Sequence, residues 1–369
     1  MNLASSALLG HFSVLLVTGI NGRTGCAALH QARRNRFKES KSSNNVAQLL
    51  LAGIQRGENR MTTVSVFGGT GFLGRRLVRR LASEGTAVRV AVRHPVHART
   101  ELQAESERIT FFCADVRDRG AVARAVAGTD AVVNAVSAYI EKGGVTFESV
   151  HEQGARTLAR EAASAGVARF VLVSGIGADA ESKSAYIRAR GRGERVVREA
   201  FPDATIVRPS VMFGPGDALF GTLAQVARML PVLPLIGGGH ARLQPVYVED
   251  VAEAIARVLI DIGTAGRTYE LAGPDVYSMR ELAEIVLRIT GRRRLLAPVP
   301  FVVAEAQARL FELLPTPPLT TGQIDLLKAD NVASRSFPGL RELGIEPKTV
   351  EEIVPTYLRP ASKAKEVAR

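Results

Sequence analysis

Met61-Thr-Thr-Val-Ser-Val-Phe-Gly-Gly-Thr-Gly-Phe-Leu-Gly74 is the stretch around which the rest of the chain is read. Residues 64–67 are a β-branched and aromatic run suited to a buried strand, after which Gly68, Gly71 and Gly74 recur at every third position. A helical pattern follows, with Leu73, Leu77 and Leu81 on one face beside Val78, and Arg75, Arg76, Arg79 and Arg80 on the rest. A strand that runs through a glycine-rich turn into a helix aims unpaired backbone N–H groups and the positive helix end at a phosphate. Gly68 permits the tight turn, Gly71 the approach of a diphosphate to the backbone, and Gly74 the close packing of helix on strand. A glycine triplet alone is a weak signal; here strand, spacing and helix agree. The expected binding set is therefore Gly68, Thr70, Gly71, Phe72, Leu73 and Gly74, and the ligand a dinucleotide.

Outward from this turn, strands and helices alternate. Ala87–Val92 reads as the second strand and ends at Arg93 and His94. An acidic residue about 20 positions past the glycines usually holds a ribose 2′-OH, whereas an arginine accommodates a 2′-phosphate. No Asp or Glu lies between Gly85 and Arg99, so Arg93 points to NADP(H), with NAD(H) as the alternative. Residues 109–114 form a third strand ended by Asp115 and Val116, and 117–127 a helix closed by Gly128. Residues 130–136 form a fourth strand, which brings Asn134, Ala135, Val136 and Ser137 to the cofactor side. Residues 147–165 read as a helix and 169–174 as a fifth strand. This alternation specifies a doubly wound parallel (Rossmann) α/β sheet with ligands at the carboxyl ends of its strands.

The totals bound what the chain does. Its 369 residues are 46% hydrophobic, ample for one large or two modest domains. Cys26 and Cys113 make no disulfide framework, and no metal-ligand pattern is present. The net charge of +12 invites a nucleic-acid reading. Location argues against it: residues 1–60 carry eight Lys or Arg against two Glu, a surplus of six that is half the total. The remaining arginines are scattered on helix faces without the interleaved aromatics of a stacking platform. Attraction to anionic lipid or an acidic partner is the better use of such charge.

Residues 1–60 fit a disordered or non-native extension, with a targeting segment as the alternative. They lack an 18-residue apolar run and a basic n-region before their first apolar stretch, though 33–43 is basic and Ser-rich like a transit peptide. Residues 13–25 imitate a strand followed by spaced glycines, but no second strand with a ribose-reading residue follows. The expected organisation is thus 1–60 extension, 61–210 dinucleotide-binding domain, 211–358 smaller α/β region completing the cleft, with room for some of its strands to join the main sheet, and 359–369 tail.

Ser174 closes the fifth strand, and Tyr186 starts a helical pattern in which Arg190, four residues on, shares its face. Such a trio can move a proton to or from a carbonyl while a nicotinamide moves hydride, the cation favouring tyrosinate and the serine holding the substrate oxygen. Gly68-Gly-Thr-Gly-Phe-Leu-Gly74, Asp115-Val116, Ser174 and Tyr186-Ile-Arg-Ala-Arg190 together resemble an extended or atypical short-chain dehydrogenase/reductase.

Later motifs narrow the resemblance. Residues 193–202, Val207-Arg-Pro-Ser210, Phe213-Gly-Pro-Gly-Asp217, Gln244-Pro-Val-Tyr-Val-Glu-Asp-Val251 and Phe337-Pro-Gly-Leu-Arg-Glu-Leu-Gly344 resemble one branch, the NADPH-binding accessory subunits of respiratory complex I and their bacterial relatives. The resemblance covers about residues 61–358. It implies cofactor contacts from the glycine turn, Arg93, Asp115, Val116, Ala135, Val136, Tyr186, Arg190 and Pro209, with catalytic roles for Ser174, Tyr186 and Arg190 only if turnover survives. The usual Tyr-x-x-x-Lys is here Tyr-x-x-x-Arg, and a guanidinium neither deprotonates nor matches the shape of an ammonium.

The resemblance therefore implies NADP(H) held structurally, complex I subunits or a membrane surface as partners, and a place at the cytoplasmic face of a bacterial inner membrane or in the cytoplasm. In a eukaryote that place is the matrix side of the mitochondrial inner membrane. The alternative is an active reductase, epimerase or dehydratase acting on a small metabolite, for example in quinone biosynthesis; a nucleic-acid or regulatory binder ranks third.

In the C-terminal region, 244–248 reads as a strand and 251–260 as a helix capped by Asp250 or Glu249. Residues 299–314 read as a helix with Val302, Val303, Ala306, Leu310, Phe311 and Leu314 on one apolar face, too short and too charged to span a bilayer. That face suits a membrane surface, a partner, or the underside of a lid.

Overall fold

The computed structural model describes residues 63–102, 106–312, 314 and 319–358. The extension, the 13–25 imitation, Cys26 and the tail lie outside the described residues. In chain order the first half runs β1 (Thr63–Phe67), α1 (Gly74–Ser83), β2 (Ala87–Val92), α2 (Pro95–Leu102), β3 (Ile109–Cys113), α3 (Arg119–Val126), β4 (Ala131–Asn134), α4 (Ala155–Ser164), β5 (Arg169–Val173), α5 (Ala185–Ala200) and β6 (Thr205–Pro209). The second half runs β7 (Met212–Phe213), α6 (Leu219–Met229), β8 (Val232–Ile236), β9 (Arg242–Leu243), β10 (Val246–Tyr247), α7 (Val248–Ile260), β11 (Thr268–Leu271), β12 (Tyr277–Ser278), α8 (Met279–Thr290), β13 (Leu295–Val299), α9 (Phe301–Phe311), α10 (Thr321–Leu326) and α11 (Val350–Leu358).

Seven of these strands form one parallel sheet in the order β11-β6-β5-β4-β1-β2-β3. The order reverses at β1, so the crevice between β1 and β4 lies at the carboxyl ends where such sheets bind ligands. Both faces are covered, which is why the strands read as nearly continuous apolar runs. Leu77, Val78 and Leu81 of α1 pack with Val251, Ile255 and Leu259 of α7 on one face. Val122 of α3, Leu158 of α4 and Val197 of α5 pack on the other. Burying Leu77 fully removes a side chain from water worth about 2 kcal/mol. Although β11 and α7 belong to 211–358, both complete the main sheet layers; the rest of that region builds its own small cores around Phe213 and Phe220, and around Leu233 and Leu235.

Three local expectations are corrected. The 147–165 helix begins as a wider π turn, Glu148–Gly154, before α4. Gly154 and Gly193 allow that turn to be squeezed from both sides: a Cβ on Gly154 would lie 2.8 Å from Val116 Cγ2, and one on Gly193 would collide with the His151 carbonyl. The 244–248 strand shortens to β10, and α7 begins at Val248 with no side-chain cap. Asp250 is not that cap, because its Oδ2 accepts the Lys348 N–H at 2.8 Å and fastens the C-terminal segment. The 299–314 helix gives Val299 to β13, and α9 starts after Pro300.

Candidate functional site

Gly68 and Gly74 of the 68–74 turn are held to their identity by nearby backbone. Gly68 has φ +81°, and a Cβ there would lie 2.6 Å from the Ala135 carbonyl oxygen. A Cβ on Gly74 would collide with the Gly68 carbonyl, so helix α1 starts as close to β1 as main chains allow. The turn closes through Gly71 N–H donating to Gly68 O at 3.0 Å, and Arg75 N–H to Gly71 O at 3.0 Å. No side chain caps the first turn of α1. Thr70, Phe72 and Leu73 thus sit on a helix N-terminus whose amides and dipole are presented to an anion. Ala135 lies directly behind: its N–H donates to Phe67 O at 2.9 Å, and Val136 N–H donates to Asn134 Oδ1 at 3.2 Å.

On the other side of β1, Arg93 follows β2 and is exposed. Asp115 follows β3 and is bound by Arg117, through Nη2 at 2.7 Å and Nε at 3.0 Å. Hydrogen bonding from Arg117 holds the Asp115 carboxyl below the usual range, with a smaller contribution from Arg93. Val116 is buried under the π turn. The strand ends therefore bring the glycine turn, Arg93, Asp115, Val116, Ala135 and Val136 to one edge of the sheet.

The tyrosine corner is also assembled, but on different terms. Arg190 lies over the Tyr186 ring, Cζ 5.0 Å from its centroid. The guanidinium occupies the space a side chain on Gly175 would need, next to the Pro209 carbonyl. Ser174 is buried with its Oγ unpartnered among the described residues. Tyr186 is 5% exposed and ringed by Tyr139 at 5.6 Å, Phe147 at 5.4 Å and His151 at 5.5 Å, the last edge-on at 90°. Ser137 and Tyr139 are near enough to its hydroxyl to affect its acidity.

Burial pushes the Tyr186 hydroxyl well above its ordinary 10, and Arg190 opposes this without reversing it. The expectation that Arg190 favours tyrosinate is thereby corrected: desolvation outweighs the neighbouring charge. His151 is driven down from 6.5 to about 4, first by burial and then by Arg190, while Ala138 O, 3.1 Å from Nε2, opposes the shift. It is a neutral ring at physiological pH.

Of the Arg208-Pro209-Ser210 motif, only Pro209 keeps a free role beside the site. Arg208 donates to both oxygens of Glu194 at 2.9 and 2.6 Å and lies 3.5 Å from Glu270. Ser210 Oγ donates to Asn331 Oδ1 at 2.7 Å. Ser210 fastens the C-terminal segment and Arg208 ties β6 to α5 and β11.

Ser137 is placed on the cofactor side by the sequence, whereas Tyr139, Phe147 and His151 are missed. Tyr139 lies in the aperiodic stretch after β4, and Phe147 and His151 lie where the helical pattern of 147–165 begins, in or beside the π turn. The only signal of the aperiodic stretch is position, since it follows a strand end already placed beside the cofactor.

A nucleotide-ready turn on a doubly wound parallel sheet, with a tyrosine on the neighbouring helix, defines an NAD(P)-binding Rossmann protein of the extended short-chain dehydrogenase/reductase kind. The chain belongs to the NAD(P)H-binding family whose model matches residues 68–261. It is 33% identical over 313 residues to the mitochondrial NADH dehydrogenase [ubiquinone] 1 alpha subcomplex subunit 9 of Mus musculus, covering 82% of this chain and 83% of that protein. Over 190 residues it is 39% identical to the ceramide reductase of Caulobacter vibrioides, 51% of this chain and 58% of that one. Among solved structures, the dTDP-glucose 4,6-dehydratase DesIV of Streptomyces venezuelae, with NAD and TYD bound, is 25% identical with a TM-score of 0.63, over 80% of this chain and 96% of that one.

Proposed function

We propose that the protein holds NADPH without consuming it, as a peripheral subunit of a membrane-bound quinone reductase. The observation that carries this is the asymmetry of the site: the 68–74 turn leaves a helix N-terminus uncapped, while Tyr186 is buried within a ring of Tyr139, Phe147 and His151. A proton donor closed in by its own chain is poorly placed to serve a substrate carbonyl. Exposed Arg93, with no acid in its place, supports NADPH over NADH.

Helix α9 supports a membrane partner. Its buried residues are the small Ala304 and Ala308, while Val302 is 78% and Leu310 65% exposed. At helical spacing Val302, Ala306, Leu310 and Val303 share an arc of about 100°. The large side chains face outward, the reverse of an ordinary surface helix. Arg309 borders the arc, and Arg292-Arg-Arg294 precedes β13, a charge pattern that suits anionic headgroups. Among the described residues no helix is long and apolar enough to cross a membrane.

Purification from the source organism tests the reading. NADPH and quinone-reductase subunits are expected to travel with the protein; its isolation with neither refutes it. The likeness to ceramide reductase favours a second reading, an NADP(H)-dependent reductase of a carbonyl substrate. Oxidation of bound NADPH by a carbonyl panel, abolished in Tyr186→Phe, would establish that reading instead.

A further inference from the structure

Three motifs of the sequence meet at one side chain that no cofactor role uses. Arg76, in the first turn of α1, donates from Nη1 to the Phe72 carbonyl at 2.7 Å and lies over the Phe72 ring at 4.3 Å. Its Nη2 donates to the Pro215 carbonyl at 2.6 Å, in the loop between β7 and α6. Its Nε lies 3.2 Å from Glu249 Oε1, at the start of α7. The side chain is 9% exposed, whereas Glu249 is 43% exposed. One planar fork thus ties the glycine turn to the Phe213–Asp217 and Gln244–Val251 motifs, a geometry a lysine could not reproduce.

The loop it grips is built on glycines. Gly214 has φ +144° and Gly216 φ +84°, conformations that glycine adopts without strain. Beyond them Asp217 accepts the Phe220 N–H at 2.6 Å, opening α6, and accepts the Tyr357 hydroxyl at 2.5 Å from α11. The path from the turn therefore runs Phe72, Arg76, Pro215, Asp217, Tyr357. Neighbouring arginines of α1 make no such span: Arg80 pairs with Glu84 and Glu253.

We propose that Arg76 is a positioning residue that transmits nucleotide occupancy of the 68–74 turn to the 214–217 loop and so to the C-terminal helices. This rests on the turn being the diphosphate site. A nucleotide fixes Phe72, Phe72 fixes Arg76, and the Pro215 carbonyl is held only while the fork is in register. A coupling of this kind requires an element with two arrangements that both sites bias, and the glycine-hinged loop is that element.

Hydrogen exchange on the full-length chain with and without NADPH reads both ends separately, residues 68–76 for binding and 212–221 for the loop. In the wild type NADPH should slow exchange at both, by about tenfold at the loop. In Arg76→Met the turn should still be protected by NADPH, while 212–221 exchange as in the nucleotide-free protein. Arg76→Lys should restore the loop effect only in part. Should Arg76→Met fail to fold, Glu249→Gln, a change at a half-exposed carboxylate, is expected to weaken the loop effect and leave protection of 68–76 intact. Loop protection unchanged in Arg76→Met, or in Glu249→Gln if that must stand in, overturns the inference, as does a wild type protected at 68–76 alone. Absence of protection at 68–76 would instead refute the nucleotide site itself.

Discussion

The glycine turn and the tyrosine corner lie at neighbouring strand ends and have been built under opposite constraints. In the turn, backbone crowds backbone: Ala135 O behind Gly68 and Gly68 O behind Gly74 leave no room for side chains. The amides of the α1 N-terminus consequently remain available to a ligand. In the corner, side chains crowd side chains: Tyr139, Phe147 and His151 ring Tyr186 and bury it. The difference teaches that the two places answer to different parts of the sequence. A site made of main-chain donors persists as long as the glycines do, whereas access to a tyrosine hydroxyl depends on the few loop side chains packed around it.

Four substitutions break or sharpen that contrast, beginning with the largest effect. Gly74→Val drives a side chain into the Gly68 carbonyl and should weaken NADPH binding by about a hundredfold or more and lower Tm, read by calorimetry and thermal melts. Binding retained at wild-type strength would show that the turn is not the site.

The second concerns the corner's packing. His151 is neutral in the fold, with its pKa near 4 against an ordinary 6.5. Between those values the unfolded chain binds more protons, so stability is fully present above 6.5 and declines as pH falls toward about 4. The loss should amount to about 3 kcal/mol in denaturant titrations, and His151→Asn should flatten the slope. An unchanged slope in the variant would mean that His151 is not the buried group responsible.

The third is Arg93→Glu, which should cost NADPH about tenfold in affinity and leave NADH unharmed, measured side by side. Equal losses for both would remove Arg93 from 2′-phosphate recognition. The smallest effect belongs to Tyr186→Phe, which should leave NADPH binding within about twofold, because a hydroxyl buried among its own neighbours contributes little to a ligand. A large loss would show that the corner takes part in binding after all.

Much of the nucleotide half was legible because its physics is local. Parallel strands buried on both faces read as apolar runs, and glycines forced by main-chain contact recur at fixed spacing. Leu77, Val78 and Leu81 could be assigned to the core face of α1 from period alone. What escaped depends on distant partners. Asp250 looks like a helix cap until Lys348 takes its carboxylate. Arg208 and Ser210 look like site residues until Glu194, Glu270 and Asn331 claim them. The ring of Tyr139, Phe147 and His151 around Tyr186 comes from an aperiodic stretch and a π turn, neither of which leaves a repeating mark. The face of α9 was visible as a stripe, but only burial reveals that its large residues point away from the body.

The central claim is that a phosphorylated nicotinamide nucleotide lies against the amides of the 68–74 turn and stays there unreacted. Calorimetric titration of the nucleotide-free protein with NADPH and then NADH tests it most directly. The account predicts one equivalent of NADPH bound, tighter than NADH by about tenfold, and recovered unoxidised. Folded protein that takes up neither nucleotide would contradict it.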